Sequence, residues 1–217
     1  MKLGIWIIGA LLLATQAIAQ SGVRVVDGDT LQIGQTTYRL FGIDAPEHGQ
    51  KCMTRGGGSW SCGKEATEYL QKLVLAGSVQ CDDRGQDRYG RTIAICRTGG
   101  KDVNEQMVSS GHAWAFLRYS REYEAAEGTA RGQGIGIWQA QTQPAWDYRA
   151  DKWARAEDQA PNGCPIKGNI SKSGMIYHTP WSPFYTRTKI NTAKGERWFC
   201  SEDEAKAAGW RAPRWGG

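Results

Sequence analysis

Val23-Arg24-Val25-Val26-Asp27-Gly28-Asp29-Thr30-Leu31-Gln32-Ile33 holds two short apolar runs separated by an Asp-Gly step. β-Branched residues on either side of such a step signal strand, tight turn, strand. Beyond this segment, Gln35 to Ile43 reads as another strand, and Val79 to Asp83 with Thr92 to Arg97 as a pair around the Arg88-Tyr89-Gly90-Arg91 turn. Ala66, Tyr69, Leu70, Leu73 and Val74 recur at helical spacing, which predicts an amphipathic helix over roughly 63–76, ended by Gly77. A short helix follows near 102–110 and closes at Gly111. Another over about 121–131 puts Tyr123, Ala126 and Ala130 on one face and stops at Gly132. About five short strands with two or three helices fit an α+β fold built on a small barrel better than a parallel sheet.

The flanks set the compartment and the domain count. Lys2, the apolar run Ile5 to Ala14 and the small-x-small step Ala17-Ile18-Ala19 make residues 1–19 a signal peptide. The run is far shorter than the ~20 residues that span a bilayer, although an uncleaved anchor is the competing reading. Export leads to a secreted or periplasmic protein, and there an even set of six cysteines favours disulfides. Nearness in sequence suggests Cys52–Cys62, Cys81–Cys96 and Cys164–Cys200. The second pair is also expected to face itself across the Tyr89-Gly90 hairpin. No Cys-x-x-Cys and no close His/Cys cluster exists, which disfavours structural zinc.

Residues 20–140 form the main domain, 141–163 a connector with a short helix near Trp146–Ala156, and 164–217 a small module with a terminal Ser201–Ala208 helix. Fifty residues barely fold alone, so a Cys164–Cys200 staple is physically useful. The whole chain carries 27 Lys+Arg, 22 Asp+Glu and 40% hydrophobic residues, which excludes disordered, collagenous and coiled-coil classes. Residues 20–156 hold 17 basic and 16 acidic side chains against 9 and 6 in 157–217, so the basic excess sits mostly in the tail. That mild excess permits a polyanionic partner without demanding one.

Three spots place charge where a strand or turn would rather have none. Asp27-Gly28-Asp29-Thr30, taken alone, is a hairpin turn. In Tyr38-Arg39-Leu40-Phe41-Gly42-Ile43-Asp44-Ala45-Pro46-Glu47, period-two alternation puts Arg39 on one face with Phe41 and Ile43. A guanidinium there needs a paired anion or an anionic ligand, and an ion pair pinning the corner is the plain alternative. In Asp87-Arg88-Tyr89-Gly90-Arg91, Arg88 reads as a solvated turn residue, while Arg91 starts a strand and is free to point along the barrel face. Together the carboxylates suit a hard, oxygen-ligated cation and a general base, and the arginines suit a phosphate and the charge of its pentavalent transition state. Metal-assisted phosphodiester hydrolysis needs that inventory.

Val26–Leu31, Arg39–Glu47, Asp87–Arg91, Val103-Asn104-Glu105 and Gly136-Ile-Trp138 resemble the staphylococcal nuclease family, over about 23–138. The resemblance implies an OB-fold barrel and Ca²⁺-dependent hydrolysis of DNA and RNA at the 5′ P–O bond, leaving 3′-phosphate ends. It places Arg39, Glu47 and Arg91 in catalytic positions, and Asp29, Asp44 and the backbone carbonyl of Ala45 on the calcium. Glu47 would orient or deprotonate the attacking water. Tyr89 and Tyr119 fall where aromatic side chains stack on a base or cap a phosphate, or else pack the barrel edge. Ala45 stands where the best-known member has Thr, which keeps a carbonyl ligand and loses a hydroxyl. The Cys52–Cys62 segment replaces an otherwise cysteine-free stretch and reshapes one wall of the groove.

His48, His112 and His178 have no partner at ligand spacing and read as surface or packing. Trp138, Trp146 and Trp153 read as packing for the domain and its connector. The tail resembles a module that recurs on bacterial exported nucleases and envelope proteins. Its aromatics suit either adhesion to an anionic polymer or a stability cap. The expectation is thus an exported, monomeric nuclease, against a non-catalytic OB-fold that binds nucleic acid or cell wall.

Overall fold

A computed structural model describes residues 22–213, so the signal peptide assigned to 1–19 lies outside the described residues. β1 (Val23–Asp27) passes through Gly28-Asp29 into β2 (Thr30–Ile33), which returns as β3 (Thr36–Leu40), both pairs antiparallel. The single strand expected over 35–43 is broken at Phe41-Gly42. Gly42 has φ 71°, a backbone conformation that a side chain makes costly, so the chain turns there. β4 (Ile43–Asp44) then pairs with Trp114–Ala115 instead of continuing β3. Phe41 and Ile43 therefore do not extend the face that carries Arg39.

A two-stranded ribbon, β5 (Cys52–Met53) and β6 (Ser59–Trp60), leads into α1 (Cys62–Leu75), and a Cys52–Cys62 disulfide closes the loop. Ala66, Leu70 and Val74 recur every four residues along α1 and are buried, which is the stripe the periodicity requires. β7 (Val79–Gln86) runs beyond the expected end at Asp83, with an irregular register before Gln86. It pairs with β8 (Thr92–Thr98), where Cys81 and Cys96 sit directly opposite and are bonded. β8 also runs parallel to β3, giving the order β1-β2-β3-β8-β7, and β9 (Lys101–Asp102) adds a short sixth strand on β8. This α+β arrangement is the expected OB-fold with one extra strand.

α2 (Val103–Ser109) starts where the Asp102 carboxylate accepts the Glu105 N–H at 3.0 Å. β10 (Trp114–Ala115) is the partner of β4. α3 (Glu124–Gln133) begins and ends later than the expected 121–131: Gly132 lies inside it, and Gly134 at φ 62° is the left-handed cap. α1, α2 and the barrel share one core that includes Leu31, Leu40, Ile43, Leu70, Ala94 and Met107.

α4 (Ala145–Gln159) is longer than the Trp146–Ala156 helix read from sequence. Its first turn is rooted in a second cluster of Cys52, Cys62, Trp114, Ile137, Trp138 and Trp146. The tail folds as β11 (Ile166–Ser171), β12 (Gly174–His178) and β13 (Arg197–Phe199) in the order β12-β11-β13, with α5 (Glu202–Ala207). A Cys164–Cys200 disulfide and a core of Ile166, Tyr177, Phe199, Ala205 and Trp210 hold this unit. Among the described residues no helix is long and apolar enough to cross a membrane.

Candidate active site

The β1–β2 turn, the middle of β3 and the β4 corner meet at one end of the barrel. β2–β3 pairing sets Thr30 opposite Arg39, so Arg39 lies beside Asp29. The Arg39 guanidinium forms ion pairs with Asp29 and with Asp44, the latter through Nη2 to Oδ1 at 3.0 Å. Asp29 is further fixed by the Thr30 hydroxyl on Oδ1 at 2.9 Å and the Ala45 N–H on Oδ2 at 3.1 Å. Asp44 on β4 is completely buried. The break at Gly42 thus aims Asp44 back at Arg39, a geometry that a straight strand would not give.

Glu47 follows Pro46, and Gln50 braces it: the Gln50 N–H donates to the Glu47 carbonyl at 2.7 Å, and the Glu47 N–H donates to Gln50 Oε1 at 3.1 Å. Gly63, at the start of α1, allows this segment to lie against the helix. A Cβ at position 63 would collide with the Glu47 carbonyl oxygen. Gln50 Nε2 reaches on to the Gln143 carbonyl at 2.7 Å, tying the corner to the start of α4.

α4 supplies a residue that the sequence reading missed. Arg149 Nη2 meets Asp44 Oδ2 at 2.8 Å, and its Nη1 meets Asp44 Oδ1 at 3.2 Å and Glu47 Oε1 at 2.7 Å. No local motif announces it, because the pair spans about a hundred residues of sequence. One signal was present: Arg149 is four residues beyond Ala145 and seven before Ala156, and both alanines are buried. A charged residue on that inward stripe needs an anion. Asp27 was also passed over as part of a turn. Its carboxylate accepts the Gly28 N–H at 2.8 Å and lies close enough to Glu47 and Asp29 to feel both.

These surroundings divide the carboxylates. Burial pushes Asp29 up, but Arg39, the Ala45 N–H, Arg91 and Thr30 outweigh it and hold the group below its ordinary value. Burial, with repulsion from Glu47 and Asp29, holds Asp27 well above the usual carboxylate range. Burial raises Glu47 to about 7 against the opposing pull of Arg149. Burial lowers Arg39, but Asp29 and Asp44 more than restore its hold on the proton, and Arg149 is likewise secured by Asp44 and Glu47.

Arg91 stands just before β8 and is held by Asp87, Nε to Oδ2 at 2.7 Å, with its charge reaching Asp29. Tyr89 is half-buried. Lys206 of α5 lies 4.1 Å from its ring centre, and Arg88 and Arg91 also flank the ring. Tyr119 is 72% exposed and leans on Phe116 at 5.0 Å. His112 and His178 sit apart, the first stacked on Tyr69 at 4.2 Å and the second bonded to Asn169 and Ser182 in the tail, whereas His48 follows Glu47 and is exposed.

Among the described residues no three acidic, His or Cys side chains are grouped as a ligand set, so a metal would rest on Asp29 and Asp44 with carbonyl and water oxygens. The charge inventory fits such an ion. The four carboxylates of Asp27, Asp29, Asp44 and Glu47 exceed the two contacting guanidinium groups of Arg39 and Arg149, an excess relieved as burial and mutual repulsion hold Asp27 and Glu47 above their ordinary values. A hard divalent cation would cancel that excess and draw down the raised Asp27 and Glu47, and its preferred ligands are carboxylate, carbonyl and water oxygens. Hydrolysis of an anionic ester is the chemistry this combination serves.

Comparison with known proteins agrees with the geometry. The family described as "Staphylococcal nuclease homologue" matches residues 37–140, and the family described as "ArfC" matches 147–212. The succinoglycan biosynthesis protein ExoI of Rhizobium meliloti is 36% identical over 153 residues, 67% of this chain and 80% of that protein. A micrococcal nuclease of Shigella flexneri is 34% identical over 158 residues, 64% of this chain and 82% of that one. An uncharacterized endonuclease of Haemophilus influenzae is 33% identical over 142 residues, 62% and 72% of the two chains.

Proposed function

This chain belongs to the staphylococcal nuclease family, and on that premise we propose that it is an exported Ca²⁺-dependent endonuclease that cleaves DNA and RNA to leave 3′-phosphate ends. The coarser part follows from the family: the chain is a hydrolytic nuclease acting on nucleic acid, and nucleases of this family are metal-dependent. The observation that carries the finer reading is the meeting of Asp29, Arg39, Asp44 and Glu47 at one barrel end, where carboxyl groups outnumber the guanidinium groups that contact them.

Asp29, Asp44 and the Ala45 carbonyl would hold the calcium, which supplies polarisation of the phosphate when bound. Glu47, held above its ordinary value by burial without the ion and drawn down when the ion binds, would then be ionised to accept a proton from attacking water. The water oxygen bonds to phosphorus as the P–O5′ bond breaks, and the departing 5′ oxygen takes a proton from solvent. Arg39, already aligned along two carboxylates, would bind the phosphate oxygens and stabilise the added charge. Arg91 would serve the transition state or the leaving side after loosening from Asp87. Tyr119 presents a free face for a base, whereas Tyr89 shares its ring with Lys206. The three disulfides agree with action outside the cytoplasm.

The test is an assay of residues 20–217 on plasmid, single-stranded DNA and RNA with Ca²⁺, Mg²⁺ or EGTA, followed by typing of the product ends. Calcium-dependent cuts leaving 3′-phosphate and 5′-hydroxyl ends support the proposal. Folded, oxidised protein that retards DNA in a gel without cutting it would point instead to a binding module.

A further inference from the structure

We infer that Arg149 is a positioning residue of the nuclease site, and that the site is therefore completed by the segment after the nuclease domain. The inference rests on the nuclease reading above. The nuclease family match ends at residue 140, whereas Arg149 lies within the separate match over 147–212. Its guanidinium nevertheless makes three contacts of 2.7 to 3.2 Å with the proposed base and the proposed metal ligand. Its side chain is 26% exposed, against 0% for Asp44 and 14% for Glu47, so it forms the outer wall of the cluster.

The way α4 is held argues for a permanent role. Ala145 is fully buried, Trp146 packs on Trp114 and Phe116 at 5.9 and 5.5 Å, and the Gln143 carbonyl is held by Gln50. Arg149 is one helical turn past this anchor and is delivered by it, with no hinge between. A planar fork across two carboxylates fixes both orientations at once, which one ammonium does not do. Arg149 thereby holds the Glu47 carboxylate at a set angle to Asp44, as an outer partner holds a metal ligand.

The same fork occupies both oxygens of Asp44, which sets two opposite effects. Removing it frees oxygens and adds one negative charge, which favours a divalent cation. It also releases Glu47 from its orientation, which slows hydrolysis. A contact that only stabilised the fold would weaken both functions together.

The experiment compares full-length wild type, Arg149→Ala and Arg149→Lys, with melting curves to establish folding. Ca²⁺ binding is titrated calorimetrically without substrate, and kcat and KM are measured on single-stranded DNA. For Arg149→Ala the expected result is Ca²⁺ binding at least ~3-fold tighter. Its kcat should fall about 10- to 100-fold with KM changed far less. Arg149→Lys, which keeps the charge without the fork, should lie between in both readouts and serves should the alanine variant fail to fold. A kcat that holds or rises in Arg149→Lys, and in Arg149→Ala where it folds, overturns the inference and makes the contact a plug. Parallel loss of affinity and rate reduces it to a structural tie. Wild type that fails to cleave at all sinks the nuclease reading itself, a result distinct from either.

Discussion

Each charged residue of the cluster is anchored by more than one contact, so single changes should separate chemistry from folding. Glu47→Gln keeps the shape and the Gln50 brace while removing the proton acceptor, and Arg39→Ala removes the charge between Asp29 and Asp44. Each should lower kcat by at least ~100-fold with far-ultraviolet circular dichroism unchanged. Near-wild-type turnover in either would refute the assigned roles. Gly63→Ala is a backbone counterpart, because its methyl group meets the Glu47 carbonyl and α1 or the corner must shift. A loss of about 1–3 kcal/mol in urea denaturation, with a lower kcat, is expected. Arg39, Asp44 and Glu47 stood out in sequence as charges on a strand and its Pro46 corner, but the shared face of Arg39 with Phe41 and Ile43 is not formed, and the roles given to them come from the family resemblance. Gly63 did not stand out, since its role depends on a loop that reaches it from outside its helix.

At the level of elements, hairpins and amphipathic helices were legible, but their junctions were not. The 35–43 strand read as continuous because apolar and β-branched residues stand on both sides of Gly42, where the chain breaks. The competing demand is that Ile43–Asp44 pair with Trp114–Ala115, a partner some seventy residues away. Asn104 shows how that break is held. Fully buried on α2, it donates to the Phe41 carbonyl at 3.0 Å and the Ala94 carbonyl at 3.1 Å, and accepts the Cys96 N–H at 3.2 Å. One side chain thus joins the β3–β4 corner to β8. Asn104→Ala should cost about 2 kcal/mol, because the Cys96 N–H and the Phe41 carbonyl lose this partner, while the Ala94 carbonyl keeps the Phe41 N–H at 2.8 Å. Activity should fall at temperatures where the fold persists, since Asp44 sits just past the loosened corner. Stability and rate both within error of wild type would remove Asn104 from this role.

Across the whole molecule, α4 links the two parts, with Arg149 on the carboxylates of the nuclease domain and Trp153 on Trp181 of the tail, and Lys206 of the tail lies directly over Tyr89 of the domain. This organisation could not be read from composition, because the connector looked polar and its arginines ordinary. The histidines offer a way to test whether the two parts unfold together. Burial holds both His112 in the domain and His178 in the tail near pKa 4, with Arg187 and Lys167 also opposing charge on His178. Both lie below the value near 6.5 of an unfolded histidine, so as pH falls the unfolded chain takes up these protons first. The stability linked to them is complete above about pH 6.5 and is lost progressively toward pH 4. Asp27 and Glu47 act in the opposite sense, because raised carboxylates favour the folded state on acidification. The histidine contribution is therefore isolated by difference. Wild type should lose about 1–3 kcal/mol more than His178→Gln between pH 7.5 and 4.5, in urea melts with EGTA present. If domain and tail form one cooperative unit, that loss appears in the single transition monitored by all the tryptophans. If only a separate tail transition moves while the nuclease-domain transition stays fixed, the two parts unfold independently, and α4 would then have to be held by the domain alone.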